Sequence, residues 1–175
     1  MQNEVNQMAL AAVEIYFDGE QRTMMTVLVS CAFLSVMVLG LYVLSSAGFA
    51  EGLMITVVLG AAILSGVALS MMNRDIGLRK QFMLMTSLKQ DELAVNAEKE
   101  RISVLIKRIP YYRSGGVTVG LLALLMVLLM RQPQALGVAA GLLMMTSMIV
   151  GIEFYTEKRA MQYYYNLEQA TATET

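Results

Sequence analysis

The residue types that usually carry catalysis or bind metal ions are scarce in this chain of 175 residues. It contains no His, and Cys31 is its single cysteine. His is the commonest general base and metal ligand, and one cysteine cannot form an internal disulfide or a thiolate metal cluster. A Walker lysine motif, a dinucleotide-binding glycine pattern and a CxxC motif are also missing from the sequence. We therefore expect a protein that is not an enzyme and has neither a catalytic site, a cofactor nor a bound metal.

Small residues spaced four apart indicate a different kind of chemistry, which is close contact between helices. Two pairs of glycines have this spacing, and a fifth glycine belongs to a similar series of small residues. They are Gly116 and Gly120, Gly137 and Gly141, and Gly66. In lipid such spacing lets helix backbones approach closely, because burial alone does not drive association there. These candidate contacts lie either within the chain or against another copy or a target membrane protein.

The elements that carry these glycines are apolar runs. Hydrophobic residues make up 57% of the chain and charged residues only 15%, against about 25% charged in a soluble domain. A bilayer core needs roughly 20 apolar residues in a helix. Four runs approach this length, at about 23–46, 53–72, 114–130 and 135–150, the last extending towards 155. The sequence predicts an all-α, polytopic membrane protein with four transmembrane helices in two hairpins.

The remaining residues divide the chain into five segments. They are a cytoplasmic amphipathic helix (1–22), a first transmembrane hairpin (23–72), a cytoplasmic helical hairpin (73–113), a second transmembrane hairpin (114–155) and a cytoplasmic tail (156–175). Asp18 and Gly19 are expected to end the first helix, whose apolar face carries Val5, Met8, Ala12 and Tyr16. Pro133 suits a turn or a first helical position. The tail either packs on the hairpin or lies on the inner leaflet.

The cytoplasmic hairpin is predicted as two amphipathic helices packed as an antiparallel pair, with a reversal near Gln90 to Asn96. Apolar side chains recur along it at helical spacing, which indicates one apolar stripe on each helix. The candidates for docking a soluble partner through this stripe are Phe82, Met85, Ile102 and Ile109. They would serve in docking only where the chain itself leaves them exposed.

The distribution of basic residues predicts the orientation. Twelve of the 13 Lys and Arg residues fall on one side of a four-span arrangement, and Arg131 stands alone on the other. Positive charge stays cytoplasmic, so we expect a multi-pass protein of the inner (plasma) membrane with both termini inside. Only two short turns reach the outside, and their charged residues, Glu51 and Arg131, are candidates to pair with each other or to contact an external partner.

One short internal sequence similarity, which we call the echo, suggests a duplication. The segment beginning Arg79-Lys80 aligns with the segment beginning Lys158-Arg159 at a fixed offset, and both follow the second span of a hairpin. Parallel repeats of this kind occur in transporters, and they also arise from duplication without transport. Both explanations stay open.

The small size, the few spans, the tiny outer turns and the lack of catalytic groups together resemble the polytopic immunity proteins that protect bacteria from pore-forming colicins and from membrane-targeting type VI effectors. The resemblance covers the whole chain as architecture. It implies that the protein neutralises a membrane-targeting toxin through helix contacts inside the bilayer. Its partners would be the lipid bilayer, the toxin and, in some arrangements, a second copy of the chain, with no nucleic acid.

Two alternatives are compatible with the same sequence. A small homo-oligomeric channel or transporter subunit would need a polar path, whereas the spans hold no charge except Glu153 near one end; intramembrane charges usually mark ion paths. A membrane scaffold or plasmid exclusion protein would instead dock its partner through the cytoplasmic hairpin.

Overall fold

The computed structural model describes residues 2–45, 47–87 and 91–172, apart from some side chains near the helix ends. Within these residues the chain forms four long helices. They are α1 (Gln2–Ser45), α2 (Gly48–Ser87), α3 (Asp91–Leu129) and α4 (Pro133–Ala172). All four are long and apolar enough to cross a membrane. The predicted all-α architecture with four apolar helices is therefore confirmed, and Pro133 is the first residue of α4, as its fixed φ favours.

The helices are longer than the predicted spans, because each helix continues from a predicted span into a predicted cytoplasmic segment. At 44 residues, α1 is about 66 Å long, roughly twice the thickness of a bilayer core. The prediction that Asp18 and Gly19 end the first helix is wrong, since α1 passes through both. Gly19 instead makes room for a neighbour, because a Cβ there would lie 3.0 Å from Nε of Arg159.

The turn between α2 and α3 also differs from the prediction. α2 continues to Ser87 and α3 begins at Asp91, so Asn96 lies inside α3 and the reversal comes earlier than expected. Gln90, the other end of the predicted reversal, lies outside the described residues. α3 packs mainly against α4 and has fewer contacts with α2, although Phe82 of α2 and Ile102 of α3 belong to one buried cluster. Pro110 lies within α3 without ending it.

The largest buried cluster, which we call the polar-end bundle, joins all four helices at the end that carries most charges. Its buried members are Ala12, Val13, Tyr16, Phe17, Phe82, Ala94, Val95, Ile102, Ala160, Tyr163 and Leu167. The tail contributes Tyr163 and Leu167, so this part of the chain packs into the bundle, while Tyr165 is exposed. Ala12 and Tyr16 lie on the predicted apolar face of α1; the side chains of Val5 and Met8 lie outside the described residues.

The predicted spans pack in a different pattern. Two smaller clusters join α1, α2 and α4, one around Val27 and Cys31 and the other around Val57 and Met145. Between residues 114 and 130, α3 has one buried side chain, that of Ala123. The predicted spans form a layer of helices, which we call the membrane-level layer. α2 and α4 lie at its centre, with α1 beside α2 and α3 beside α4.

Candidate functional site

The centre of the membrane-level layer is a crossing of α2 and α4 built on glycine. Gly52 is the fifth residue of α2 and Gly137 the fifth residue of α4. A Cβ on Gly52 would overlap the carbonyl oxygen of Gln134, and a Cβ on Gly137 would overlap the carbonyl oxygen of Phe49. Each of these oxygens belongs to the second residue of its helix. Equivalent positions thus face each other reciprocally, which is the geometry of a local two-fold relation between two parallel helices.

The other candidate glycines make contacts of different kinds. Gly141 continues the crossing, because a Cβ there would lie 2.8 Å from Cβ of Thr56. Gly116 and Gly120 face α4 instead, 3.4 Å from Cγ2 of Val150 and 3.1 Å from Cγ2 of Thr146 when measured from an added Cβ. Around Gly66 nothing lies within 4 Å of such a Cβ. Four of the five candidate glycines therefore serve packing within the chain.

The charged echo in the sequence does not follow the register of this crossing. Arg79 is the thirty-second residue of α2, whereas Lys158 is the twenty-sixth residue of α4. Arg79 forms ion pairs with Glu14 and Asp18 on α1, at 3.6 and 3.2 Å, while Lys158 is exposed. The two segments therefore occupy different environments, and the reciprocal contacts of α2 and α4 do not depend on the echo.

At the polar end, a buried ionic cluster joins α1, α3 and α4. Glu98 accepts two hydrogen bonds from Arg101, at 2.6 and 2.8 Å, and a third from the hydroxyl of Tyr163 at 3.1 Å. Tyr16 stacks on Tyr163 with ring centroids 4.3 Å apart. The Arg101 guanidinium lies 5.6 Å from the ring centroid of Phe17, close enough for a cation–π interaction. This ionic cluster holds the N-terminal half of α3 against α1 and α4.

Burial controls the protonation of this cluster. The pKa of Tyr163 is raised by burial and further by the Glu98 carboxylate, which accepts a hydrogen bond from its hydroxyl. Burial also raises the pKa of Tyr16. For Arg101, burial is the largest single effect and lowers the pKa, but the hydrogen bond and charge of Glu98, together with Tyr16 and Tyr163, raise it more, so the net shift is upward. Both phenols stay protonated and Arg101 stays charged, as expected for a structural donor set rather than for acid–base catalysis.

A second buried pair lies one turn nearer the predicted membrane boundary. The Glu20 carboxylate is 3.6 Å from the Arg159 guanidinium, and the side chain of Glu20 is 4% exposed. Neither Oε1 of Glu20 nor Nη1 of Arg159 has a hydrogen-bond partner. Burial raises the pKa of Glu20 more than Arg159 lowers it. The pKa of Asp75 on α2 is raised in the same way by burial, against the effect of Arg74.

The remaining charged candidates are not brought together. Glu51 lies in the first turn of α2, where a carboxylate interacts favourably with the helix dipole, and Arg131 is exposed in the connection before α4. No ion pair joins these two residues, although both belong to the described part of the chain. Glu153 faces the charge of Arg113 on α3, which itself pairs with Glu157 at 2.7 Å.

The predicted cytoplasmic docking stripe is mostly covered by the chain. Phe82, Ile102 and Ile109 are buried, at 6%, 0% and 4% exposure, and only Met85 is partly exposed, at 38%. The expected docking surface is therefore wrong for the first three residues, because they form the core where the helices meet. Helical spacing identified the apolar stripes correctly but could not show that the chain itself covers them.

Two open grooves at membrane level were not predicted. The α3–α4 groove, as we call it, has small or hydroxyl side chains on its floor, those of Gly120, Thr146 and Ser147, and Val117 and Phe154 on its rims. The α1–α4 groove runs from Arg22 and Arg159 at its charged end along Thr26, Ser30 and Ser147. Gly151 lines both grooves, and nothing lies within 4 Å of a Cβ built on it. Small-residue spacing was the only sequence signal that could have indicated them.

Comparison with known proteins does not indicate a function, so a function has to be inferred from the residues and their geometry. Neither a protein-family profile, nor a curated protein, nor a solved structure shows significant similarity to this chain.

Proposed function

We propose that this protein is a non-enzymatic membrane protein that binds another membrane-embedded polypeptide through the α3–α4 groove. The observation that carries the proposal is the position of α3, which has one buried side chain in its predicted span and lies beside an open groove that Ser147 and Gly151 help to line. Small residues of this kind let a further helix approach closely in lipid. The cytoplasmic apolar stripes are already used in the core, which favours a membrane-level partner.

The partner class that we propose is a membrane-targeting, pore-forming bacterial toxin, which makes the protein an immunity protein of the inner membrane. Both termini and the polar-end bundle would lie in the cytoplasm, because the sequence puts twelve of its 13 basic residues in the segments on that side of the predicted spans. A toxin helix that seats in the α3–α4 groove would be held before it assembles a pore. The short connections on the opposite side leave little surface for capture outside the membrane.

The test is site-specific photocrosslinking in native membranes. A crosslinkable residue at Val117, on the groove rim, is compared with one at Ile63, which is 68% exposed on α2 and outside the groove. We expect Val117 but not Ile63 to capture one secreted toxin polypeptide, identified by mass spectrometry. Val117→Trp should then abolish survival on toxin challenge, and Ile63→Trp should preserve it. Capture of only the chain itself, as a defined ladder, would contradict the toxin partner.

A small channel or transporter subunit is the second candidate, because the reciprocal crossing of α2 and α4 resembles the parallel repeats of some transporters. In spans without charge, a polar path would need hydroxyl side chains, and three of these are engaged or buried. Thr56 and Ser147 each donate to a carbonyl of their own helix, at 2.9 and 2.8 Å, and Thr146 is buried. Ion flux through vesicles reconstituted with the protein, together with the self-crosslinked ladder, would favour this candidate.

A further inference from the structure

We propose that the α1–α4 groove binds one anionic phospholipid of the cytoplasmic leaflet. The proposal depends on the membrane placement given above but not on the toxin partner. The groove combines a charged end at the predicted membrane boundary with a path that descends into the predicted membrane level. That combination matches the two parts of a phospholipid, which are an anionic headgroup and apolar chains.

The charges at the groove end are complementary to a lipid of one negative charge. Arg22 and Arg159 line this end, and among the described residues the carboxylate paired there is that of Glu20, behind Arg159. Two guanidinium groups and one carboxylate leave a net positive charge. Arg22 is exposed, and Arg159 keeps 28% of its side chain exposed, while its buried Nη1 faces Glu20. Guanidinium donors suit the oxygens of a phosphate.

The depth of the groove matches a lipid in the inner leaflet. Arg22 immediately precedes the first predicted span, and Tyr155 ends the fourth, so the charged end lies at headgroup level, where Tyr is enriched. From Arg22 to Ser30 the groove follows α1 for about 12 Å, past the apolar side chains of Val27 and Met148. At Gly151 the groove stays open because this residue has no side chain.

Native mass spectrometry of the detergent-purified protein tests this site with two probes of identical acyl chains, phosphatidylglycerol and phosphatidylcholine. We expect phosphatidylglycerol to bind at least about fivefold more tightly, since one basic residue near a membrane surface contributes roughly that factor. Arg22→Gln should remove this preference. Lys80→Gln makes the same charge change at an exposed residue on α2 and should preserve it. Equal binding of the two lipids, or equal losses in the two variants, would overturn the proposal.

A second pair of variants tests the groove without changing charge. Gly151→Leu adds a side chain where the structure has open space, so it should fill the groove without disturbing the fold. Gly66→Leu makes the same change at a glycine outside the groove that also has nothing within 4 Å. We expect Gly151→Leu to reduce phosphatidylglycerol binding at least fivefold and Gly66→Leu to leave it unchanged, with equal helical circular dichroism. Unchanged binding in Gly151→Leu would place the lipid elsewhere and overturn the assignment.

Discussion

Gly137 lies so close to Phe49 that a Cβ on the glycine would overlap the phenylalanine's carbonyl oxygen. The same relation holds in reverse between Gly52 and Gln134. Backbone, rather than a flexible side chain, fills the space on both sides, so neither helix can accommodate a methyl group without moving. The closest approach of the two hairpins is therefore fixed by two glycines at the same position of their helices.

Replacement of Gly137 by Ala should destabilise the fold. Overpacking a tight contact costs about 1–3 kcal/mol, and here the contact involves backbone, which cannot rotate away. The free energy of unfolding, measured by SDS titration in mixed micelles, should fall by that amount. Gly66→Ala is the matched control, since nothing lies within 4 Å of its Cβ. A similar loss in both variants would contradict the crossing.

Removal of Arg101 should be far more costly than removal of a surface arginine. Arg101→Met leaves the Glu98 carboxylate, 7% exposed, with Tyr163 as its remaining donor, and breaking a buried pair costs roughly 3–5 kcal/mol. Arg79→Met breaks pairs with Glu14 and Asp18, whose side chains are 53% and 56% exposed, and should cost less than about 1 kcal/mol. The same unfolding titration measures both. Equal costs would mean that the ionic cluster contributes no more than a surface pair.

The apolar stripe of the cytoplasmic hairpin should behave as core. Ile102→Ala removes a side chain with 0% exposure and should cost about 2–5 kcal/mol. Met85→Ala, at 38% exposure, should cost less than about 1 kcal/mol. Thermal unfolding followed by circular dichroism would measure the two losses. If Ile102→Ala were as harmless as Met85→Ala, the residue would be free to dock a partner after all.

Acidification should stabilise the polar-end bundle. Burial raises the pKa of Glu20 and of Asp75 in the folded chain, while in the unfolded chain both titrate near their ordinary values of about 4. At a pH between the unfolded pKa and the raised folded pKa of these carboxyls, the folded state binds more protons than the unfolded state. The free energy of unfolding therefore falls as the pH rises. Because the chain has no His, carboxyl groups with raised pKa values are the side chains that we expect to titrate between about pH 5.5 and about pH 7.5.

The free energy of unfolding should consequently be higher near the lower of these two pH values. A double variant, Glu20→Gln with Asp75→Asn, should lose most of this dependence, because it removes the two raised carboxyls. The measurement is the SDS titration repeated at each pH on both proteins. An unchanged pH dependence in the double variant would assign the effect to other groups.

The four helices could be predicted from the sequence because their apolar runs are long and uncharged. The positions where the helices end could not be predicted, since Gly19 and Pro110 look like interruptions but lie inside α1 and α3. Gly19 is tolerated because Arg159 occupies the space beside it. That is a contact between residues far apart in sequence, which local patterns do not contain.

The candidate contacts were also predicted only in part. Four-residue spacing marked Gly120 and Gly137 as close-approach positions, but it could not indicate that one faces α4 and the other α2. Likewise, helical spacing marked Ile102 as apolar without showing what covers it. Both open grooves lie between helices that are far apart in sequence, and which helices become neighbours depends on packing along their whole length.

The central claim is that the chain crosses the membrane four times with its polar end in the cytoplasm. Cys31 is the only cysteine, so Cys31→Ala gives a background for single-cysteine labelling with a membrane-impermeant maleimide on spheroplasts. Gln132, in the connection before α4, and Lys158, at the polar end, are both exposed. We predict that Gln132→Cys is labelled on intact spheroplasts and that Lys158→Cys is labelled only after lysis. Labelling of Lys158→Cys on intact spheroplasts, or release of the protein from membranes by alkaline carbonate, would contradict the claim.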